Sequence, residues 1–111
     1  MAYVPDRGDV VWINLNPQTG HEQSSHRPAL VVSPASYNGK TGLMLCCPIT
    51  NQSKGYPFEV AIEDNPKVRG VVLADQVKCL DWRFRCAKKK GKVSQTVLDE
   101  TLNKLKAIID G

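Results

Sequence analysis

The sequence predicts a mainly β domain that ends in one helix. Before residue 94, short runs rich in valine, isoleucine and aromatic residues follow one another, as strands do. Turn-forming pairs such as Asn16-Pro17, Asn38-Gly39 and Asn65-Pro66 separate these runs. An amphipathic stretch follows residue 94. Five or more short strands plus a terminal helix favour a compact, barrel-like antiparallel sheet.

Six runs are candidates for strands: residues 9–15, 28–33, 43–50, 58–62, 71–80 and 82–87, the last of which either extends the fifth strand or pairs beside it. Residues 28–33 are continuously apolar, which is typical of a strand buried on both faces. The polar segment 16–26 between the first two runs is long for a loop, so we expect it to be functional or disordered.

The helix is predicted to begin after Ser94, which is a favourable N-cap residue. Four apolar residues then recur on one helical face and are expected to pack on the sheet: Leu98, Leu102, Leu105 and Ile109. The basic run at residues 88–92 before the helix is either a phosphate-binding surface or a solvated turn.

Composition limits the classes of protein. A chain of 111 residues with ordinary hydrophobicity predicts one domain over residues 1–111, and a net charge of +4 permits a nucleic-acid partner without requiring one. The absence of an apolar leader or a long apolar run leads us to expect a soluble, cytoplasmic protein.

The four cysteines do not have the spacing of a metal site, and no cofactor is expected. Cys46 and Cys47 are adjacent, so on a strand they should face opposite sides, while Cys79 and Cys86 are isolated. We expect reduced thiols in the core rather than zinc ligands.

Polar residues gather where the predicted strands end. The loop supplies His21 and Glu22, Arg27 precedes the second strand, and Thr50 closes the third. Asp75 interrupts an apolar run, and a buried carboxylate must be paired or functional. Each residue also has an ordinary structural explanation: Arg27 as a salt-bridge partner, Thr50 as a strand end, Asp75 as a hydrogen-bond acceptor.

Several motifs in series nevertheless resemble those of the MazF/PemK toxins, and nearly the whole chain takes part. The motifs occur in order and with matching spacing: Asp9-Val10-Val11-Trp12, Gly20-His21-Glu22-Gln23, Arg27-Pro28-Ala29, Cys47-Pro48-Ile49-Thr50, and residues 30–34, 53–60 and 70–78.

This resemblance implies an SH3-like small barrel, as in the MazF, PemK and CcdB toxins, and a symmetric homodimer. It implies a toxin of a type II toxin–antitoxin system that cleaves single-stranded RNA without a metal. Attack by the 2′-hydroxyl would leave a 2′,3′-cyclic phosphate and a 5′-hydroxyl. The implied partner is a MazE/PemI-type antitoxin with a flexible acidic tail.

The resemblance also assigns residues. Arg27 and Thr50 match the main catalytic positions, and Glu22 matches the loop carboxylate. Three others match positions implicated in the PemK branch: His21, Asp75 and Arg85. Leu73 stands where that branch has an arginine, so a general-acid role would pass to Arg27. Candidates for RNA binding are Gln52, Ser53, Lys54, Tyr56, Lys78, Arg83, Arg85 and Lys88. Aromatic residues could pack in the core or stack on bases, as with Phe58, Trp82 and Phe84, whereas Trp12 is expected in the core.

The chemistry of these side chains fits phosphoryl transfer. A guanidinium binds phosphoryl oxygens with a planar fork, and a threonine hydroxyl can donate to the same oxygens. The base remains open between Glu22 and His21, since both have a more suitable pKa than arginine. Strand alternation would place Asp75 on the same apolar face as Leu73 and Val77. We expect Arg27 or Arg85 to neutralise its carboxylate there. Asp75 would then either orient that arginine for catalysis or stabilise the fold.

Two other functions stay open. One is a gyrase-poisoning toxin of the same fold, whose activity is expected to need a tryptophan-containing tail that residues 108–111 do not provide. The other is an RNA-binding module in which Arg27 and Thr50 only bind phosphate.

Overall fold

A computed structural model describes residues 2–14, 26–63 and 65–111. Within these residues the elements follow in this order: β1 (Asp9–Asn14), β2 (His26–Val31), α1 (Ala35–Thr41), β3 (Leu43–Thr50), β4 (Glu59–Ile62), β5 (Gly70–Leu73), a 3₁₀ turn (Ala74–Gln76), β6 (Lys78–Asp81), β7 (Lys88–Lys92) and α2 (Gln95–Asp110). The mainly β fold with a C-terminal helix is therefore confirmed.

The strands form one antiparallel sheet that curls into a half-barrel, in the order β4-β5-β3-β2-β1-β7 with β6 added on β3. The long strand β3 causes the curl because it changes partner along its length. Its first half, to Cys46, pairs with β6, whereas Ile49 and Thr50 pair with β5. Pro48 lies between these halves and has no N–H to donate, which suits a strand that changes partner.

The core consists of two apolar clusters on opposite faces of the sheet. One lies under α2 and includes Val10, Cys47 and Leu98, and the other includes Val11, Cys46 and Trp82. Cys46 and Cys47 thus face opposite sides, as predicted. The expectation of four core thiols is wrong for Cys79 and Cys86, which are exposed.

Helix α2 begins where the sequence predicts. Ser94 Oγ accepts a hydrogen bond from the Val97 amide at 3.3 Å, which caps the helix. Leu98 and Leu105 are buried, and Leu102 packs against the same cluster. Ile109 is wrong as a core residue, because the packed part of the helix ends near Leu105 and Ile109 is 78% exposed.

The predicted fifth strand, residues 71–80, is wrong as a single element. The 3₁₀ turn divides it into β5 and β6, which pair with different parts of β3. Residues 82–87 form turns rather than a strand, with Cys86 in the left-handed region at φ 53°. By contrast, the basic run 88–92 is a strand, since it pairs with β1.

Asn38-Gly39, expected to be a turn, lies inside α1. The reason is the Asn38 side chain, which is fully buried and donates to the carbonyls of Pro5 and Ser33 at 2.7 and 3.0 Å. Tertiary hydrogen bonds therefore override the local turn preference. No helix in the described part of the chain is long and apolar enough to cross a membrane.

Candidate active site

Arg27 and Thr50 come together because of the register between β2 and β3. Ala29 pairs with Pro48 at the end of the ladder, and continuing this register by two residues along each antiparallel strand directs Arg27 and Thr50 toward the same place on one face. Both residues line a cleft of about 780 Å³, which we call the main cleft. They also line a smaller adjoining cleft of about 250 Å³, which contains Lys78 and Gln76.

The Thr50 hydroxyl is oriented by the turn that follows β3. Its Oγ1 accepts a hydrogen bond from the amide of Gln52 at 3.2 Å. Because the oxygen acts as the acceptor in this bond, its own proton remains available to a ligand. The Thr50 side chain can therefore donate to a phosphoryl oxygen placed in the cleft.

Gly70 allows the backbone of β5 to approach Thr50 closely. It has φ +117°, and a Cβ at this position would lie 2.4 Å from the Thr50 carbonyl oxygen. No other residue fits there without moving one of the two strands. Gly70 therefore helps to fix the position of Thr50, although it touches no ligand site itself.

The Arg27 side chain is exposed at the mouth of the cleft. Its Nη1 donates to the carbonyl oxygen of His26 at 2.8 Å, which holds one side of the guanidinium against the strand. A planar guanidinium carries five N–H donors in a fork, which is the geometry that bidentate contact with a phosphate requires.

Residues 51–58 are held beside the cleft by Glu59 and by helix α2. The Glu59 carboxylate accepts from the Lys54 amide at 2.9 Å and from Ser53 Oγ at 2.7 Å. These hydrogen bonds, that of the Lys54 amide above all, lower the pKa of Glu59. Lys104 Nζ on α2 donates to the Pro57 carbonyl at 2.7 Å. Gln52, Lys54 and Tyr56 consequently face the clefts from an anchored segment.

Asp75 does not have the surroundings that the sequence predicted. It lies on the 3₁₀ turn, so the strand alternation with Leu73 and Val77 does not apply. In place of an arginine, its Oδ2 accepts from the Tyr56 hydroxyl at 2.7 Å, and this bond raises the pKa of Tyr56. Its Oδ1 is buried and has no hydrogen-bond partner among the described residues.

Asp75 and Tyr56 belong to a third cleft of about 630 Å³, which also includes Thr50 and Gln52. Thr50 thus lines all three clefts, and the three openings meet at the end of β3. Asp75 is brought near the candidate catalytic residues by this geometry, on the Tyr56 side of Thr50.

The remaining candidates for RNA binding fall into two groups. Gln52, Lys54, Tyr56 and Lys78 line the clefts. Four others lie outside these three clefts: Ser53, Arg83, Arg85 and Lys88. His21 and Glu22 lie outside the described residues, as does most of the loop that carries them.

The aromatic residues differ in their exposure to solvent. Trp82 is buried, with its Nε1 donating to the Asn38 carbonyl at 2.9 Å, whereas Phe84 is 55% exposed. Trp12 is wrong as a core residue: it is 36% exposed, lines the main cleft and stacks on His26 with ring centroids 6.3 Å apart. The sequence carried no signal for this, because residues 10–13 are all apolar; only the structure shows that Val11 and Ile13 are buried on the other face of β1.

Sequence reasoning also missed part of the main cleft. Its lining includes Asn51, Pro66, Lys67, Arg69 and Lys90. Lys90 belongs to the basic run, but nothing in the sequence pattern placed Lys67 or Arg69 near Arg27. In the described part of the chain, no group of three or more histidine, cysteine or acidic side chains is arranged to hold a metal ion.

Comparison with known proteins identifies the family of this chain. The profile of the PemK-like, MazF-like toxins of type II toxin–antitoxin systems matches residues 6–109. The chain belongs to this family. The chain is 54% identical to the endoribonuclease toxin MazF of Escherichia coli K12 over 108 residues. The aligned part covers 97% of this chain and 93% of that protein. It is 33% identical to the Escherichia coli endoribonuclease PemK, with 94% and 81% of the two chains covered.

Solved structures of the same family match the fold. The crystal structure of MazF from Deinococcus radiodurans has a TM-score of 0.87 and 52% identity, covering 99% of this chain and 100% of that one. MazF in a MazE–MazF complex from the same organism has a TM-score of 0.87 and 47% identity, covering 97% of each chain. These relatives are MazF and PemK endoribonucleases, so the gyrase-poisoning alternative gains no support from them.

Proposed function

We propose that this chain is the toxin of a type II toxin–antitoxin system and that it cleaves single-stranded RNA, including mRNA, at short sequences without a metal ion. Such cleavage would stop translation and growth. The observation that carries the proposal is the placement of Arg27 and Thr50 side by side in one cleft. Two hydrogen-bond donors held by paired strands, one exposed and one half-buried, are what a phosphodiester in its transition state requires.

In the proposed reaction, the ribose 2′-hydroxyl attacks the adjacent phosphorus and the bond to the 5′-oxygen breaks. The products are a 2′,3′-cyclic phosphate and a 5′-hydroxyl. Arg27 and Thr50 donate to the phosphoryl oxygens as negative charge develops on them, and one such donor is worth about 3–4 kcal/mol. The nucleophile comes from the RNA itself, so the reaction needs no metal-activated water.

Two proton transfers complete the step. A base removes the 2′-hydroxyl proton, and we assign this role to Glu22 or His21, which have the more suitable pKa. The leaving 5′-oxygen must gain a proton, and Arg27 is the donor at hand because Leu73 occupies the position of the PemK-branch arginine. We assign Asp75 a positioning role through Tyr56, on the basis of their hydrogen bond.

The same proposal covers the binding partners. Four residues would contact RNA inside the clefts: Gln52, Lys54, Tyr56 and Lys78. Four more would contact the RNA where it continues outside the clefts: Ser53, Arg83, Arg85 and Lys88. The MazE–MazF complex of the Deinococcus radiodurans relative supports a MazE-type antitoxin for this chain, with an acidic tail that competes with RNA for the cationic cleft. We also propose a homodimer that acts in the cytoplasm.

One experiment separates the candidate functions. The purified protein is incubated in EDTA with an unstructured RNA, and in parallel with relaxed DNA and gyrase. The proposal expects RNA fragments ending in a 2′,3′-cyclic phosphate and unaffected gyrase. Binding of RNA without fragments would instead identify an RNA-binding module, and cleavage that requires an added divalent ion would contradict the metal-free mechanism.

A further inference from the structure

The main cleft has a cationic part that the reaction described above does not use. Lys67 and Arg69, between β4 and β5, line it together with Lys90 of β7 and the ring of Trp12. We infer that these four residues form a second RNA-binding subsite, which holds the nucleotides flanking the cut. The inference rests on the proposed function and extends it, since it assigns a place to RNA beyond the reacting phosphate.

Lys67 and Arg69 are presented by an anchored segment. Asn65 Oδ1 accepts from the amides of Lys67 and Val68 at 2.9 and 3.2 Å, and Asn65 Nδ2 donates to the Lys92 carbonyl at 2.6 Å. Val68 is 1% exposed and packs in the core cluster under α2. With Val68 buried, its two neighbours in the chain are turned outward, and both are exposed.

This anchoring brings the segment against β7. A Cβ on Gly91 would lie 3.1 Å from Val68 Cγ2, so the segment and the strand pack without space between them. The backbone of Lys67 and Arg69 is therefore held near β7, and both side chains line the same cleft as Lys90. Binding a phosphate there costs little ordering of the backbone, which favours affinity.

The lysines of β7 face different partners. Lys89 forms an ion pair with the buried Asp9, with 3.6 Å between Nζ and Oδ1. Lys90 instead lies over the Trp12 ring, with its Nζ 4.7 Å from the ring centroid. Lys89 is thus engaged in holding the fold, whereas Lys90 adds charge beside an exposed aromatic ring in the cleft.

The clefts adjoin one another on both sides of the reacting residues, because neighbouring clefts share lining residues. Thr50 and Gln52 are shared by the main cleft and the Tyr56 cleft, while Pro66 and Arg69 are shared by the main cleft and a further cleft that includes Glu63. Lys67, Arg69 and Lys90 line the main cleft, and Arg69 also borders the further cleft that contains the Glu63 carboxylate. A strand cut at Thr50 would therefore run along Lys90, Lys67 and Arg69.

Single-stranded RNA fits this surface better than an acidic peptide does. Sites for single strands combine cations that follow the backbone with rings on which bases stack. Lys67, Arg69 and Lys90 supply the first, and the Trp12 ring supplies the second when a base takes the place of Lys90 over it. An acidic peptide would use the cations alone and leave the exposed ring without a role.

The test compares the double variant Lys67→Ala/Arg69→Ala with a control, Lys40→Ala/Lys106→Ala, which removes the same charge from exposed positions on the two helices. Cleavage is measured on a long RNA and on the same RNA trimmed to the cut sequence. We expect the first variant to raise KM for the long RNA only, with kcat unchanged, and the control to behave as the wild type.

Binding is measured separately on the long RNA carrying a 2′-methoxy group at the cut nucleotide, which blocks cleavage. For the Lys67/Arg69 variant, the slope of log affinity against log salt should become shallower by about 1.4, which is about 0.7 for each lost phosphate contact. This readout is independent of activity, so an inactive wild type would count against the proposed function and not against the subsite.

Three outcomes would overturn the subsite. The first is a Lys67/Arg69 variant that matches the control on both RNAs. The second is an equal rise in KM for the long and the trimmed RNA, which would place the two cations at the cut itself. The third is weakened binding of an acidic peptide, such as oligoglutamate, with RNA binding unchanged.

Discussion

At the scale of single residues, the Arg27 guanidinium has two tasks in the proposed reaction, since it binds phosphoryl oxygens and protonates the leaving group. Arg27→Ala should lower kcat by about 10²–10³-fold, as expected for loss of one key donor. Arg27→Lys should recover only part of this loss, because an ammonium cannot offer two parallel hydrogen bonds. Rates of RNA cleavage and thermal melts of the same preparations provide the measurement.

The fold should survive these changes because the Arg27 side chain is exposed. A folded Arg27→Ala protein that cuts RNA at nearly the wild-type rate would show that the active site lies elsewhere on the molecule.

The hydrogen bond between Tyr56 and Asp75 leads to a second prediction. If Asp75 acts by positioning Tyr56, Tyr56→Phe and Asp75→Asn should each reduce kcat, up to about 10²-fold for a displacement of about 1 Å in the cleft. The double variant should then lose no more than the stronger single variant, because both changes remove one interaction. Melting temperatures should change little.

The alternative for Asp75 is a structural role. In that case Asp75→Asn would lower the melting temperature and leave the rate per folded molecule unchanged, which would remove Asp75 from the active site. Additive losses of rate in the double variant would instead mean that Asp75 and Tyr56 act separately.

At the scale of elements, the contact between β5 and the end of β3 depends on Gly70. Gly70→Ala should reduce both stability and activity, because the new methyl group would collide with the Thr50 carbonyl and displace the Thr50 hydroxyl. Gly42→Ala is the matched control: φ is +74° and nothing lies within 4 Å of the added Cβ. The control should lose only about 1–2 kcal/mol, the cost of a left-handed backbone.

Denaturant unfolding and cleavage rates measure both effects. Equal losses of stability in the two variants, with the Gly70→Ala rate unchanged, would mean that β5 shifts freely and does not fix Thr50.

The helices and strands differ in how well the sequence alone predicts them. β1, β3, β4 and α2 have their own periodicity or cap, so local pattern locates them. The break at Ala74–Gln76 has no turn-forming glycine, proline or asparagine to mark it, since residues 71–80 are apolar apart from Asp75, Gln76 and Lys78. The break arises because β5 and β6 pair with different residues of β3. Such a choice of partners is visible only in the folded chain.

The site divides in the same way. Arg27 and Thr50 could be predicted because they end strands and match family motifs. The partner of Asp75 could not, because strand alternation failed at the 3₁₀ turn and Tyr56 is 19 residues away in sequence. Lys67 and Arg69 were missed because their position depends on a long-range contact. The Asn65 side chain, which holds their segment, donates a hydrogen bond to the Lys92 carbonyl of β7.

At the scale of the whole molecule, the predicted homodimer would cover apolar surface that the single chain exposes. Apolar side chains are exposed at several places in the single chain, among them Leu45 at 39%, Val77 at 38% and Ile109 at 78%. Burial of such surface is the main driving force of association. Light scattering coupled to size exclusion should therefore give twice the mass of the chain at micromolar concentration. A single-chain mass under these conditions would contradict the dimer.

The adjacent thiols of Cys46 and Cys47 offer a way to follow the two halves of the core separately. Burial raises the pKa of each to about 12, so at neutral pH both are protonated and slow to alkylate. Each thiol reacts only when its own side of the sheet opens. Because neighbouring residues face different clusters, one peptide in a mass spectrum would record two local opening rates at a single point of β3.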